Sequence, residues 1–127
     1  MTRRSSLQLF GFVLLLVLPG CDSPLWPGGG DVRIRIANLS SFPFERVHVV
    51  FPENRVSYGV IPAYGLSDYH DLSTAYRYAY IDVQIAGEEL IIQPIDYVGE
   101  NTLRAGKYTY ALNVTVEGHL TLLFQED

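Results

Sequence analysis

The chain has 127 residues, 48% of them hydrophobic and 13% aromatic, with a formal charge of −5 and one cysteine. That length suits one domain, and the acidic balance argues against nucleic acid or a polybasic membrane-surface mode. A single cysteine excludes an internal disulfide. The first element in chain order is a leader: Arg3 and Arg4 precede an apolar run over 7–18 (LQLFGFVLLLVL), closed by Pro19, Gly20 and Cys21. A spanning helix needs about 20 apolar residues, so the run has the layout of a cleaved secretory signal.

Leu18-Pro19-Gly20-Cys21 resembles the lipobox of bacterial lipoproteins, with an aliphatic residue three positions before the cysteine and a small one just before it. The resemblance implies cleavage after residue 20, a diacylglyceryl thioether on Cys21 and an acylated new N-terminus. Pro19 is a mild departure from the pattern, and the alternative is an ordinary signal peptide with a chance cysteine near its cut. Two or three acyl chains hold a protein stably where one does not. Residues 2–7 (TRRSSL) half resemble a twin-arginine signal, but Ser6 stands where that motif wants an apolar residue, so the general secretory route is expected. Cleavage removes two arginines and no acidic residue, which takes the formal charge from −5 to −7. The membrane is therefore reached through lipid and not through charge.

Residues 22–30 (DSPLWPGGG) form a tether, because two prolines and three successive glycines continue neither helix nor strand. Nine residues reach about 30 Å when extended, which keeps the domain close to the bilayer. Trp26 is suited to the lipid headgroups, and equally to folding back on the domain.

From Asp31 the signal is period two, broken by turn residues. Val32, Ile34 and Ile36 alternate with arginines, and residues 38–43 (NLSSFP) turn the chain. Val47, Val49 and Phe51 form a second strand, and Val56, Tyr58 and Val60 a third, ended by Pro62. Residues 68–74 are ambiguous between a short edge strand and a loop. A strand is predicted over 76–85, with Ala79, Ile81, Val83 and Ile85 on one face and Tyr76, Tyr78, Tyr80, Asp82 and Gln84 on the other. After a turn at Gly87 and Glu88 come a strand over 90–93, a loop over 96–106 and a long strand over 107–116. Glu117-Gly118 reads as a two-residue hairpin turn into Leu120, Leu122 and Phe124. No helical period is sustained. The expected fold is all-β, a small antiparallel β-sandwich of about seven strands over 31–127, Ig-like or transthyretin-like Greek key, with a small barrel as the alternative.

Residue types that carry chemistry are scattered. His48, His70 and His119 show no metal-ligand spacing. Asp68 and His70 would share one face of a strand beside Asp71 and could grip a cation, the weak alternative of a metal-binding or hydrolytic protein, but such residues more often form a solvated edge or turn. No nucleophile sits in a GxSxG elbow, the cysteine is used by the anchor, and Glu88, Glu89 and Glu117 fall in turns. No catalytic residue, metal site or cofactor is expected. The asparagine of Asn113-Val114-Thr115 matches a glycosylation sequon, which a bacterial leader makes accidental.

Tyrosine is the unusual component, with nine in the chain. The row Tyr76, Tyr78 and Tyr80 could stack on a sugar ring or take a peptide, since Tyr combines a flat apolar body with a hydroxyl. It could equally be the outer face of a sheet, stabilised by cross-strand pairs. The segments YRYAYI (76–81), QPIDYVGE (93–100) and GKYTY (106–110) are similar to a family of short, uncharacterised bacterial lipoproteins, mainly of Bacteroidota type. The resemblance covers roughly 32–124 and implies an envelope address and a small β-sandwich, with no activity and no catalytic residues. Within it, Tyr97 can pin its loop onto the sheets as a tyrosine corner does, or the loop can serve recognition.

The expectation is a non-enzymatic, lipid-anchored envelope protein that binds another envelope protein, a glycan or a peptide through Tyr76, Tyr78, Tyr80 and Tyr97. Asp22 after the lipidated cysteine resembles an inner-membrane retention signal, and no acidic surface-export run follows. A periplasm-facing site on the outer or inner membrane is expected.

Overall fold

Alternating apolar and polar residues close into two four-stranded sheets in the computed structural model, which describes residues 31–94 and 100–127. The leader, Cys21, the tether and Tyr97 lie outside the described residues. The strands are β1 (Val32–Asn38), β2 (Arg46–Val50), β3 (Arg55–Ser57), β4 (His70–Leu72), β5 (Tyr80–Ile85), β6 (Glu88–Ile92), β7 (Gly106–Val114) and β8 (Leu120–Glu126). One sheet has the order β4-β1-β7-β8 and the other β3-β2-β5-β6. The fold is a small all-β sandwich, and two separate sheets decide against the barrel.

An immunoglobulin arrangement would keep the first two strands in one sheet. Here β1 and β2 belong to opposite sheets, so of the two Greek-key expectations the order follows the transthyretin-like one. One ladder departs from the antiparallel pairing of the rest. β1 pairs parallel with β7, Val32 facing Gly106 and Asn38 facing Leu112, while every other ladder is antiparallel.

The inward rows are those the alternation marks. Ile34 and Ile36 of β1, Val47 and Val49 of β2, Ile81 and Val83 of β5, and Tyr110 and Leu112 of β7 are fully buried, joined by Phe44, Ile61 and Leu72. Burying one such aliphatic side chain contributes roughly 1.5–3 kcal/mol, so this layer carries the fold. Replacing Ile81 with Ala would cost about 2–5 kcal/mol.

Four local expectations change. The strand over 76–85 begins only at Tyr80, because its partner β2 ends at Val50 and Pro52 then lacks the N–H a ladder needs. Residues 68–74 do contain an edge strand, β4, which brings the strands among the described residues to eight where about seven were expected. Val60 and Val116 continue an alternating pattern but are exposed, since their ladders have already ended. The last hairpin is wider than Glu117-Gly118: the Thr115 amide donates to the His119 carbonyl and the Gly118 amide to the Thr115 carbonyl. Gly118 adopts φ +91°, the left-handed residue of a longer hairpin loop.

The registers give the sandwich two distinct ends. The chain enters β1 at a base formed by the described residues of the connections over 51–54, 73–79, 93–94 and 100–105. The far end carries the connections over 39–45, 58–69, 86–87 and 115–119. Seven residues of β1 separate the ends by roughly 20 Å, at about 3.3 Å per residue.

Candidate binding surfaces

At the base, the connection from β4 to β5 lies outside the strands, with Ala75 and Ala79 buried. Tyr76 and Tyr78 between them are half-buried and wall an open groove of about 440 Å³, together with Val50, Phe51 and Pro52. The groove is backed by the core. Phe51 is buried with its ring 6.2 Å from that of Tyr110, whose hydroxyl donates to the Tyr76 carbonyl. The Leu103 amide donates to the Ala75 carbonyl at 2.9 Å and holds the same segment from the other side. Among the described residues, those lining the groove carry no charge. Chemically it can take a flat apolar or extended proline-rich group against the tyrosine rings.

The tyrosine row is therefore divided. Tyr76 and Tyr78 meet at the groove, whereas Tyr80 lies in the β2–β5 ladder opposite Val50 and is not part of the lining. Tyr97 falls outside the described residues. Arg77, between the two groove tyrosines, turns away, with its guanidinium 5.8 Å from the Phe124 ring centroid. It lines a polar depression of about 320 Å³ with Arg104, Asn101 and Glu126.

The acidic group over 68–71 does not converge. Asp71 pairs with Arg33 at 3.1 Å, and both side chains are more than half exposed, a geometry of small energetic worth. The His70 ring packs edge-on against Tyr58 with centroids 4.5 Å apart. Tyr58 is itself buried, donates to the Ile34 carbonyl at 2.8 Å, and has its hydroxyl pKa raised by that burial. Among the described residues no group of three potential metal ligands occurs.

Sequence reasoning missed two features. On the outer face of the β2–β5 ladder, His48 Nδ1 lies 3.5 Å from Oδ1 of Asp82, which is 4% exposed. The register sets Ser57 on the other side of His48. Among the described residues no hydrogen bond joins Ser57 to His48, the contact that an activated serine would need. Oδ1 of Asp82 is buried without a hydrogen-bond partner. The residue types were visible in the sequence, but the pairing required the register.

The second feature is the far end. Asn38 is wholly buried at the end of β1. Its Nδ2 donates to the carbonyls of Phe42 at 2.8 Å and Pro62 at 3.0 Å, while its Oδ1 accepts from the Ser40 amide and hydroxyl. The Phe44 and Ile61 backbones bond each other in both directions, and the Tyr64 amide donates to the Ser40 carbonyl. Two loops are thus tied into one platform. Its surface is apolar: Leu39, Phe42, Val60, Tyr64 and Leu66 are exposed, Val60 and Tyr64 to 72%. No charged residue occurs over 39–44 or 59–66. Tyr64 holds φ +60°, a conformation uncommon for a bulky residue, and strain of this kind accompanies functional surfaces.

No family model matches the chain, and no curated protein matches it. Among solved structures it is similar to the NMR structure of a protein from Eubacterium rectale, with a TM-score of 0.58 and 9% identity. That match covers 84% of this chain and 97% of the other. At this identity the likeness concerns the fold alone. Among the described residues no helix is long and apolar enough to cross a membrane.

Proposed function

We propose that this chain is a lipid-anchored cell-envelope protein, a non-enzymatic interaction module held at a bilayer through Cys21 and facing the periplasm. The address rests on the leader and on the lipobox-like Leu18-Pro19-Gly20-Cys21, with the resemblance to small Bacteroidota-type lipoproteins in support. The observation that carries the interaction role is the far-end platform. Several exposed apolar side chains gathered on one hydrogen-bonded frame are a feature of interaction sites, whereas singly scattered ones are ordinary on any surface. The chain enters at the base, so an anchor there presents the platform away from the membrane, toward another envelope protein.

The test has two parts. Mass spectrometry of the mature N-terminus should show acylated Cys21, and a free thiol at residue 21 would end the envelope reading. A photo-crosslinking residue placed at Tyr64 or Val60 in intact cells should capture one discrete partner that the same residue at Arg55 does not. Equal labelling from all three positions would remove the platform from consideration.

A second reading is favoured by the groove. Its aromatic walls at Tyr76 and Tyr78 suit a glycan or an extended peptide. Binding to glycan or peptide arrays that is lost in Tyr76→Ser and Tyr78→Ser variants would establish it, and binding unchanged in both would exclude it.

A further inference from the structure

We infer that the groove walled by Tyr76 and Tyr78 is the seat of the chain's own tether, with the Trp26 indole as its occupant, so that an outside ligand must displace the anchor segment. The inference rests on the groove being a binding surface and names what holds it at rest. Three observations lead there. The first is position: the groove opens at the base, where the chain enters β1. The Gly106 amide donates to the Asp31 carbonyl at 3.1 Å, and the amide of Leu103, three residues earlier, donates to the carbonyl of Ala75, next to Tyr76. Three residues span at most about 10 Å, so Asp31 and Tyr76 lie within about 20 Å of each other.

The second is reach. Trp26 is five residues before Asp31, at most about 17 Å of extended chain before its own side chain is added. Gly28, Gly29 and Gly30 lie between them and permit the reversal of direction that docking requires. The third is chemistry. Pro24 and Pro27 bracket Leu25 and Trp26, and proline biases both itself and the residue before it toward extended polyproline geometry. Grooves lined by aromatic residues and proline are the usual receptors for such segments, and the described lining of this one, with Tyr76, Tyr78, Phe51 and Pro52, is uncharged. The segment over 23–27 carries no charge either.

Docking has two effects. It leaves only residues 22–25 between the held indole and the lipidated Cys21, which draws the base onto the bilayer. It also occupies the groove by an intramolecular contact at high effective concentration. A groove filled nine-tenths of the time would weaken the apparent affinity of any external ligand about tenfold.

Trp26 is the only tryptophan, so its fluorescence reports this contact alone. The experiment uses the mature lipidated chain in nanodiscs. The expected result is blue-shifted emission, protected from acrylamide and insensitive to brominated lipid, that moves to the red in Tyr78→Ser. Strong quenching by brominated lipid would place the indole in the membrane and overturn the inference, as would exposed emission that Tyr78→Ser leaves unchanged. A tether variant guards against misfolding: Trp26→Ala should shift the amide resonances of Val50, Phe51, Tyr76 and Tyr78 and leave those of Phe42 and Tyr64 in place. Unmoved groove resonances would overturn it too. A ligand found on the arrays should bind Trp26→Ala about tenfold more tightly than the parent chain. Equal affinity would remove the tether from the groove and keep the groove as a site, whereas a protected Trp26 with no array ligand would keep the docking and remove the second reading.

Discussion

The hydroxyl of Tyr69 donates to the Asp127 carboxylate across 2.6 Å, joining residues 58 apart in the chain. Thr109 donates to the same oxygen at 2.7 Å, and the Arg35 guanidinium lies 3.7 Å from it. Arg35 and Lys107 also stand over the Tyr69 ring, at 4.8 and 5.4 Å from its centroid. Desolvation pushes the Asp127 pKa up, but the hydrogen bonds from Tyr69 and Thr109 and the charges of Arg35 and Lys107 outweigh it and hold the carboxyl below its usual range. Tyr69 is shifted upward, first by its hydrogen bond to Asp127 and then by desolvation.

The pH dependence follows from both shifts. A carboxyl with a depressed folded pKa contributes stability above its unfolded value of about 3.9, lost as pH falls through the folded one. A tyrosine with a raised folded pKa contributes stability below about 10, lost as pH rises through the folded value. Urea midpoints measured against pH should show a plateau with a fall at each side. Asp127→Asn should flatten the acid fall and reduce the alkaline one.

Asn38→Ala removes the frame of the far end and leaves the Phe42 and Pro62 carbonyls without their donor. A buried polar group stranded in this way costs about 1–3 kcal/mol. The expected loss is about 3 kcal/mol by urea denaturation, against little change for a substitution at the exposed neighbour Leu39. Equal effects at both positions would show that the frame contributes nothing.

His48→Leu removes the imidazole that lies 3.5 Å from the buried Oδ1 of Asp82 and should destabilise by about 2 kcal/mol. Exchanging both partners for apolar residues can be nearly neutral, so His48→Leu combined with Asp82→Leu should recover most of that loss. A double variant whose cost equals the sum of the two single ones would show that the pair is not coupled.

Tyr64→Gly relieves a backbone conformation that costs a side-chain-bearing residue roughly 1 kcal/mol. Stability should therefore hold or rise slightly, even as crosslinking from the proposed far-end interaction falls. A marked loss of stability would mean that the Tyr64 ring packs structurally.

The strands with one buried face were legible in the sequence, because a one-residue slip in Val32-Ile34-Ile36 or Val47-Val49 would turn the core row to solvent. The ends of strands were not legible, because an alternating pattern can outlast its ladder. Val60 and Val116 keep the rhythm of their strands after pairing has stopped, and only the neighbouring strand's length shows where that happens. The groove was half legible: Tyr76 and Tyr78 stood out by type, but Pro52 and Phe51 join them only through the β2–β5 register. Asn38 read as an ordinary turn residue, since its role depends on Pro62, which folding brings against it.

The parallel ladder between β1 and β7 joins residues 74 positions apart, as the Arg35–Thr109 contact across it does. A chain that emerges N-terminus first cannot complete that sheet until β7 is out. Until then Ile34 and Ile36 remain open to water, and long-range pairing of this kind forms slowly. The delay leaves a sticky intermediate, and on the export route proposed above it would also keep the chain threadable through a translocation channel.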